Sequence, residues 1–270
     1  MTEPERAALD HIRRVIDSVI GEAAATNVPA PAASGTGTGV NILQVPYISQ
    51  LGSGASQFTN ASGAASGAML VGAYIGKAIT PNDFFNQTGQ QTDNPLSFTQ
   101  ISNVMTANGV PVEMRTGLKL SDLALILSSC RPAILLVKQT ILQQAGLTPE
   151  SFTGPHYLVA VGLDVNMAYV HDPLRKDSSG QGQGIPWLTL YQAWTQGQGY
   201  ERAALVPRLQ LVRRVRVTAT KLNVRQQPNA NASLAGTVNA GDVYEITAQK
   251  DGWGMIGPNR WVSLSYVADI

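Results

Sequence analysis

Charge is scarce in this chain. Asp, Glu, Lys and Arg make up 14% of its 270 residues, against about a quarter in an ordinary soluble domain. The formal net charge is +1, so no overall field draws in nucleic acid or an anionic membrane, and neither is expected as a partner. One cysteine, Cys130, excludes an internal disulfide framework. With three histidines beside it, the sequence holds no metal-ligand cluster at a recognisable spacing, and no metal or cofactor is expected. No apolar run approaches the roughly 20 residues that cross a bilayer. The opening M-T-E-P-E-R-A-A-L-D lacks the basic and apolar regions of a signal peptide, so cytoplasmic synthesis without secretory export is expected. What fills the polar positions instead is Gln, Asn, Ser, Thr and Gly. An uncharged, amide-rich surface is weakly self-repelling, which suits a protein packed among copies of itself.

The chain divides into pieces by composition. Residues 1–23 predict an N-terminal helix: Leu9, Ile12, Ile16 and Val19 recur at spacings of three and four, with Val15 and Ile20 beside them. That stripe either docks on its own domain or serves self-association, as a coiled-coil seam would. Residues 24–39, of Ala, Pro, Thr, Ser and Gly with one Asn and one Val, bury too little to order themselves and predict a flexible linker. Residues 40–207 predict the main domain. V-N-I-L-Q-V-P-Y-I-S-Q reads as a strand leading into a loop, Ser62 to Ile75 as a buried central helix, and Pro81 to Asn108 as two more helices. Strands follow near Ile134, Val159 and Tyr169, which predicts an α+β domain of helices and antiparallel sheet. Arg175 to Pro186 reads as a flexible glycine-rich loop whose spacing matches no phosphate-binding loop.

Residues 211–270 alternate apolar and polar over short segments separated by turn residues, the pattern of a small all-β barrel. The elements L-N-V-R-x-x-P (Leu222 to Pro228), the turn glycine Gly241, D-G-W with Gly252 and Trp253, and W-V-x-x-x-Y with Trp261 and Tyr266 resemble the bacterial Src-homology-3-like family. That resemblance implies binding of cell-wall peptides or other partners and no catalysis by the barrel.

Three further motifs concern chemistry. N-A-S-G-A-A-S-G-A-M-L carries Ser62, G-P-H-Y-L-V-A-V-G carries His156, and Y-V-H-D-P carries Asp172. In this order they resemble the papain-like peptidases that process double-glycine bacteriocin leaders. There the first motif runs Asn-x-Cys-Gly-Pro-x-Ser; here Ser62 stands in the cysteine's place and Ala64 in the proline's. The resemblance implies Ser62 at the nucleophile position, Gly63 allowing close approach at the helix start, and Ser66 matching the family serine. It also implies His156 as base, Asp172 as the carboxylate orienting it, and Gln50, or else Gln57, as the oxyanion-hole amide. A thiolate at a helix N-terminus beside a histidine is what that arrangement serves; a serine needs its proton removed during attack. Each residue alone also has a plain structural reading: small helix-start serines, a hydrogen-bonded histidine, an Asp-Pro turn. Cys130 reads as a small buried hydrophobe, and His11 and His171 carry no argued role.

The expectation is therefore a catalytically inactive papain-like protein that binds peptide or cell-wall peptide, or acts in structural assembly, associated with a phage virion or the cell envelope. The alternative is an active peptidase or amidase with Ser62, or a cysteine originally in its place, as nucleophile, His156 as base and Asp172 as orienter.

Overall fold

Thirteen consecutive residues from Ser62 to Tyr74 are, Gly72 apart, buried, and that fact organises the fold: a helix apolar on every side must be enclosed on every side. The computed structural model describes residues 41–52, 54–55, 59–148, 154–164, 166–176, 178–195, 200–208 and 212–270. The expected N-terminal helix, the linker and Gln57 lie outside the described residues.

The central helix, α1 (Ser62–Ile75), ends at Gly76, whose φ of +69° and N–H bond to the Gly72 carbonyl form a left-handed cap. It packs on α2 (Pro81–Asn86), α3 (Phe98–Ala107) and the strand β4 (Pro155–Leu163). The start of α2 is set by Thr80, whose side chain accepts from the Asp83 N–H, with Pro81 following it. A Ser97–Gln100 capping box starts α3. These are the two helices expected between Pro81 and Asn108.

Behind α1 lies an antiparallel sheet. Its strands are β1 (Asn41–Ile42), β2 (Val112–Arg115), β3 (Ala133–Lys138), β4, β5 (Met167–His171), β6 (Gln183–Pro186) and β7 (Ala204–Pro207), in the order β2-β7-β3-β4-β5-β6 with β1 on β4. The centre of this sheet is buried on both faces, so β3 and β4 read as unbroken apolar runs rather than alternating ones. Three helices, α4 (Leu120–Ser128), α5 (Gln139–Gln144) and α6 (Trp187–Thr195), complete the layer. The expected strand at the start of the domain is short, pairing over Asn41–Ile42, and leads into a loop. One expectation is corrected. The loop from Arg175 to Pro186 contains an edge strand, β6, laid against β5.

The remaining strands form two further sheets. One has the order β10-β9-β14-β13-β12, built from β9 (Lys221–Arg225), β10 (Leu234–Asn239), β12 (Ala248–Lys250), β13 (Trp253–Gly257) and β14 (Arg260–Ser263). The other has the order β11-β8-β15, from β8 (Arg213–Val217), β11 (Val243–Ile246) and β15 (Val267–Asp269). The strict alternation of β8 and β9 turns Val215, Val217, Leu222 and Val224 into a small core of their own with Val238, Ile246, Ile256 and Val262. The expected barrel is not shown: these strands form two open sheets, and neither closes on itself among the described residues. Met255 and Trp261 leave that small core and join the larger one around α1.

Candidate functional site

The residues before α1 are held from a distance. The Asp93 carboxylate accepts the Thr59 hydroxyl at 2.5 Å and the Asn60 N–H at 2.9 Å, and the Asn60 side-chain amide donates to the Asp93 carbonyl at 2.7 Å. Partial burial opposes ionisation of this carboxyl, but the bonds from Thr59 and Asn60 outweigh it and hold the group below the usual carboxylate range. The N-cap is Ala61, with no side-chain capping bond. Ser62 is therefore the first helical residue and not the cap. Its neighbour Gly63 lets the helix start approach its surroundings. A Cβ there would stand 2.8 Å from Ile101 Cδ1 and 3.1 Å from the Tyr157 ring.

From the other side comes the start of β4. The Tyr157 N–H donates to the Ser62 hydroxyl at 3.3 Å, so Ser62 lies against the residue next to His156. His156 and Asp172 are both 1% exposed, and His156 Nε2 lies 2.7 Å from Asp172 Oδ1. Nε2 is thus the ring nitrogen that Asp172 engages. Burial works against the charge on Asp172. The His156 charge and hydrogen bond, the Leu174 N–H at 2.9 Å and the more distant Arg175 guanidinium outweigh it, so the carboxyl is held below its ordinary range. The backbone of Asp172 is fixed as well: its N–H donates to the Gly180 carbonyl at 2.8 Å, and the Tyr47 hydroxyl sits 3.0 Å from its carbonyl and 2.7 Å from that of Arg175.

Gln50 ties the two sides together. Its backbone N–H donates to the Pro173 carbonyl at 2.8 Å, and its side-chain Nε2 donates to the Thr59 carbonyl at 2.7 Å. The same residue thus touches the segment leading into Ser62 and the segment leaving Asp172. A primary amide has two N–H groups; the bond to Thr59 uses one and fixes the direction of the other. Ser66 is fully buried one turn along α1, with a hydroxyl that finds no hydrogen-bond partner among the described residues. The structure thus gathers Ser62, His156, Asp172 and Gln50 around one region where α1, β4 and the loop after β5 meet.

Other sequence readings fall elsewhere. His171 Nδ1 accepts the Gly182 N–H at 2.9 Å, which leaves Nε2 as the donor to the Val45 carbonyl at 2.9 Å; it is a structural histidine holding β5 to the N-terminal segment. Cys130 is half-buried, in a left-handed conformation (φ +56°) after α4. Asp93, Tyr47 and Tyr157 shape the site and carried no sequence signal, since each acts through partners at least 33 positions away. A concavity of about 420 Å³ lies on the two-sheet β unit between Leu222, Trp253 and Tyr266, with Lys221 and Arg225 on its wall. No cluster of three His, Cys, Asp or Glu able to hold a metal occurs among the described residues. None of their helices is long and apolar enough to cross a membrane.

No family model matches the chain and no curated protein does. Among solved structures it is similar to a protein from Bacillus anthracis assigned to the C39-like peptidases, at 16% identity over 63% of this chain and 98% of the other, with a TM-score of 0.46. It is similar also to a double glycine motif protease from an AMS/PCAT transporter, solved with its leader peptide, at 17% identity over 62% and 93% of the two chains and a TM-score of 0.40. The CBD of the endolysin LysPBC5 gives 16% identity over 52% and 94%, with a TM-score of 0.20. At these scores the superpositions are loose, and what the site can do follows from its own side chains.

Proposed function

We propose that the chain is a papain-like, C39-type peptidase-fold protein that binds extended peptide beside Ser62, His156 and Asp172 without hydrolysing it. The observation that carries the reading is a serine as first residue of a buried helix, next to an intact and buried His–Asp pair at 2.7 Å. A cysteine in that place ionises, favoured by the positive end of the helix and by the imidazole. A serine hydroxyl does not ionise ahead of attack, so the same surroundings leave it a weak nucleophile. The oxyanion amide assigned to Gln50 and the orienting role of Asp172 belong to this proposal. So does the division into a peptidase-type domain over 40–207 and a bacterial Src-homology-3-like barrel over 211–270. In that division the Trp253–Tyr266 concavity, with two cations on its wall, is the second peptide- or cell-wall-binding surface.

The test is titration of the protein with fluorescent extended peptides, double-glycine leader segments among them, followed by anisotropy and mass spectrometry. Saturable binding with the peptide left intact is expected. Absence of binding across the panel, or a cleaved product from the unaltered protein, overturns the proposal.

A further inference from the structure

We infer that the turn between β13 and β14, acting through Asn259, is a positioning element for helix α1, so that the two-sheet β unit is part of the scaffold that holds Ser62. The last turn of a helix leaves its carbonyls without intrahelical donors. One of these, on Ala73, receives the Asn259 N–H at 3.1 Å from across the seam. The Asn259 side-chain amide donates at 3.0 Å to the carbonyl of Gln44, in the segment that leads from β1 toward the site. Asn259 has a φ of +50°, a left-handed conformation that asparagine tolerates better than most residues. One residue therefore sets the turn, aims a backbone donor at the helix end and reaches the N-terminal segment.

Three other contacts converge on the same place. Met255 and Trp261, on the two strands flanking the turn, are buried in the core around α1. The Gly257 backbone lies so close to the loop after α4 that a Cβ would be 3.3 Å from Cys130 Cβ. The Gln227 side chain, from the turn after β9, stands 3.0 Å from where a Cβ of Gly76 would lie, at the helix cap itself. At its start α1 is preceded by the Asp93 cluster; at its end the polar anchors come from the β unit. A helix of 14 residues is a rod of about 20 Å, and a tilt at one end moves the other. The clamp stands on these contacts alone, while its consequence for chemistry rests on the reading of Ser62 proposed above.

The experiment compares the full chain with its Asn259→Gly and Asn259→Asp variants by amide hydrogen exchange and ¹⁵N relaxation. All three residues accept the left-handed turn. Gly loses the donor to Gln44, and Asp turns a carboxylate oxygen toward that carbonyl. Exchange in the last turn of α1, from Val71 to Ile75, is expected to quicken about three- to tenfold in the Gly variant and more in the Asp variant. In a Ser62→Cys background, iodoacetamide alkylation is expected to change in the same order. Equal exchange in all three proteins overturns the inference, as does a β unit that tumbles independently of α1. Unchanged alkylation alongside changed exchange overturns the link to Ser62. Failure of peptide binding would sink the proposed function and leave the exchange rates unaffected.

Discussion

Gly180 offers a way to press on Asp172 with a single methyl group. It closes the short turn Ser178–Gly180, and its carbonyl accepts the Asp172 N–H. A Cβ added to it would lie 2.3 Å from the Asp172 carbonyl oxygen, 2.5 Å from the Tyr47 hydroxyl and 2.9 Å from Arg175 Cβ. Ordinary contact begins near 3.4 Å, so the Asp172 peptide must retreat by about an ångström, and unlike a side-chain tip it cannot rotate away. Overpacking of this kind costs about 1–3 kcal/mol. At about 2–4 °C per kcal/mol for a chain of this size, the melting temperature of Gly180→Ala is expected to fall by about 2–12 °C. Gly52→Ala is the internal control. Its nearest neighbour, Ser49 Cβ, is at 3.5 Å, and the change is expected within about 0.5 kcal/mol of the unaltered protein. Adding Tyr47→Phe to Gly180→Ala removes one obstructing atom but leaves the Asp172 carbonyl in the way and loses the hydroxyl's bonds to the Asp172 and Arg175 carbonyls, so full recovery is not expected. Differential scanning calorimetry of the four proteins decides it. If Gly180→Ala melts with the unaltered protein and with Gly52→Ala, the tight packing behind Asp172 is wrong.

Helix α1 gives a second test of packing against local preference. Gly→Ala inside a helix gains about 1 kcal/mol from propensity alone, yet a Cβ on Gly67 would stand 2.3 Å from the Phe84 ring. Gly67→Ala is therefore expected to lose about 1–3 kcal/mol by urea unfolding, and a gain would contradict the enclosure of the helix. The two buried ionisable groups near β5 separate by pH. Burial holds the His171 imidazole below its usual pKa, against the opposing pull of its bonds to the Val45 and Val170 backbone. The unfolded chain then takes up the proton first, so this stability is complete above pH of about 6.5 and declines as pH falls. His171→Gln, costing about 1–3 kcal/mol at neutral pH through its lost bonds, is expected to flatten the slope of the urea midpoint between neutral and mildly acid pH. An unchanged slope would refute the assignment. Asp172, also held low, stabilises above its unfolded pKa of about 3.9 and gives way only as pH drops through its lower folded value.

Much of this was readable from local pattern because the relevant forces are local. Ser62 to Ile75 announces a helix enclosed on all sides through its small and apolar residues. The unbroken runs of β3 and β4 announce a sheet centre, and the alternation of β8 and β9 announces a half-exposed sheet. The juxtaposition of Ser62, His156 and Asp172 was reached from motif order, which residue spacing alone does not provide. What escaped depends on long-range pairing. Asp93 reaches Asn60 across 33 positions and Tyr47 reaches Asp172 across 125; neither leaves a periodicity. The strand β6 escaped because glycine, read as a loop signal, there lets an edge strand lie against Tyr169, whose ring would stand 3.4 Å from a Cβ on Gly184. The seam at Asn259 escaped because two segments that each look self-sufficient share Met255 and Trp261 in one core.

In the function proposed above, the surroundings of Ser62 still suit a nucleophile and the serine itself is what silences them. The most direct measurement is turnover of a fluorescent peptide panel, with peptidoglycan fragments included, by the unaltered protein and by Ser62→Cys. Cleavage by the cysteine form alone is the predicted result, abolished when His156→Ala is added. Cleavage by the serine form at a comparable rate would make this a serine hydrolase, and cleavage by neither would mean that the His156–Asp172 pair no longer serves a nucleophile at position 62.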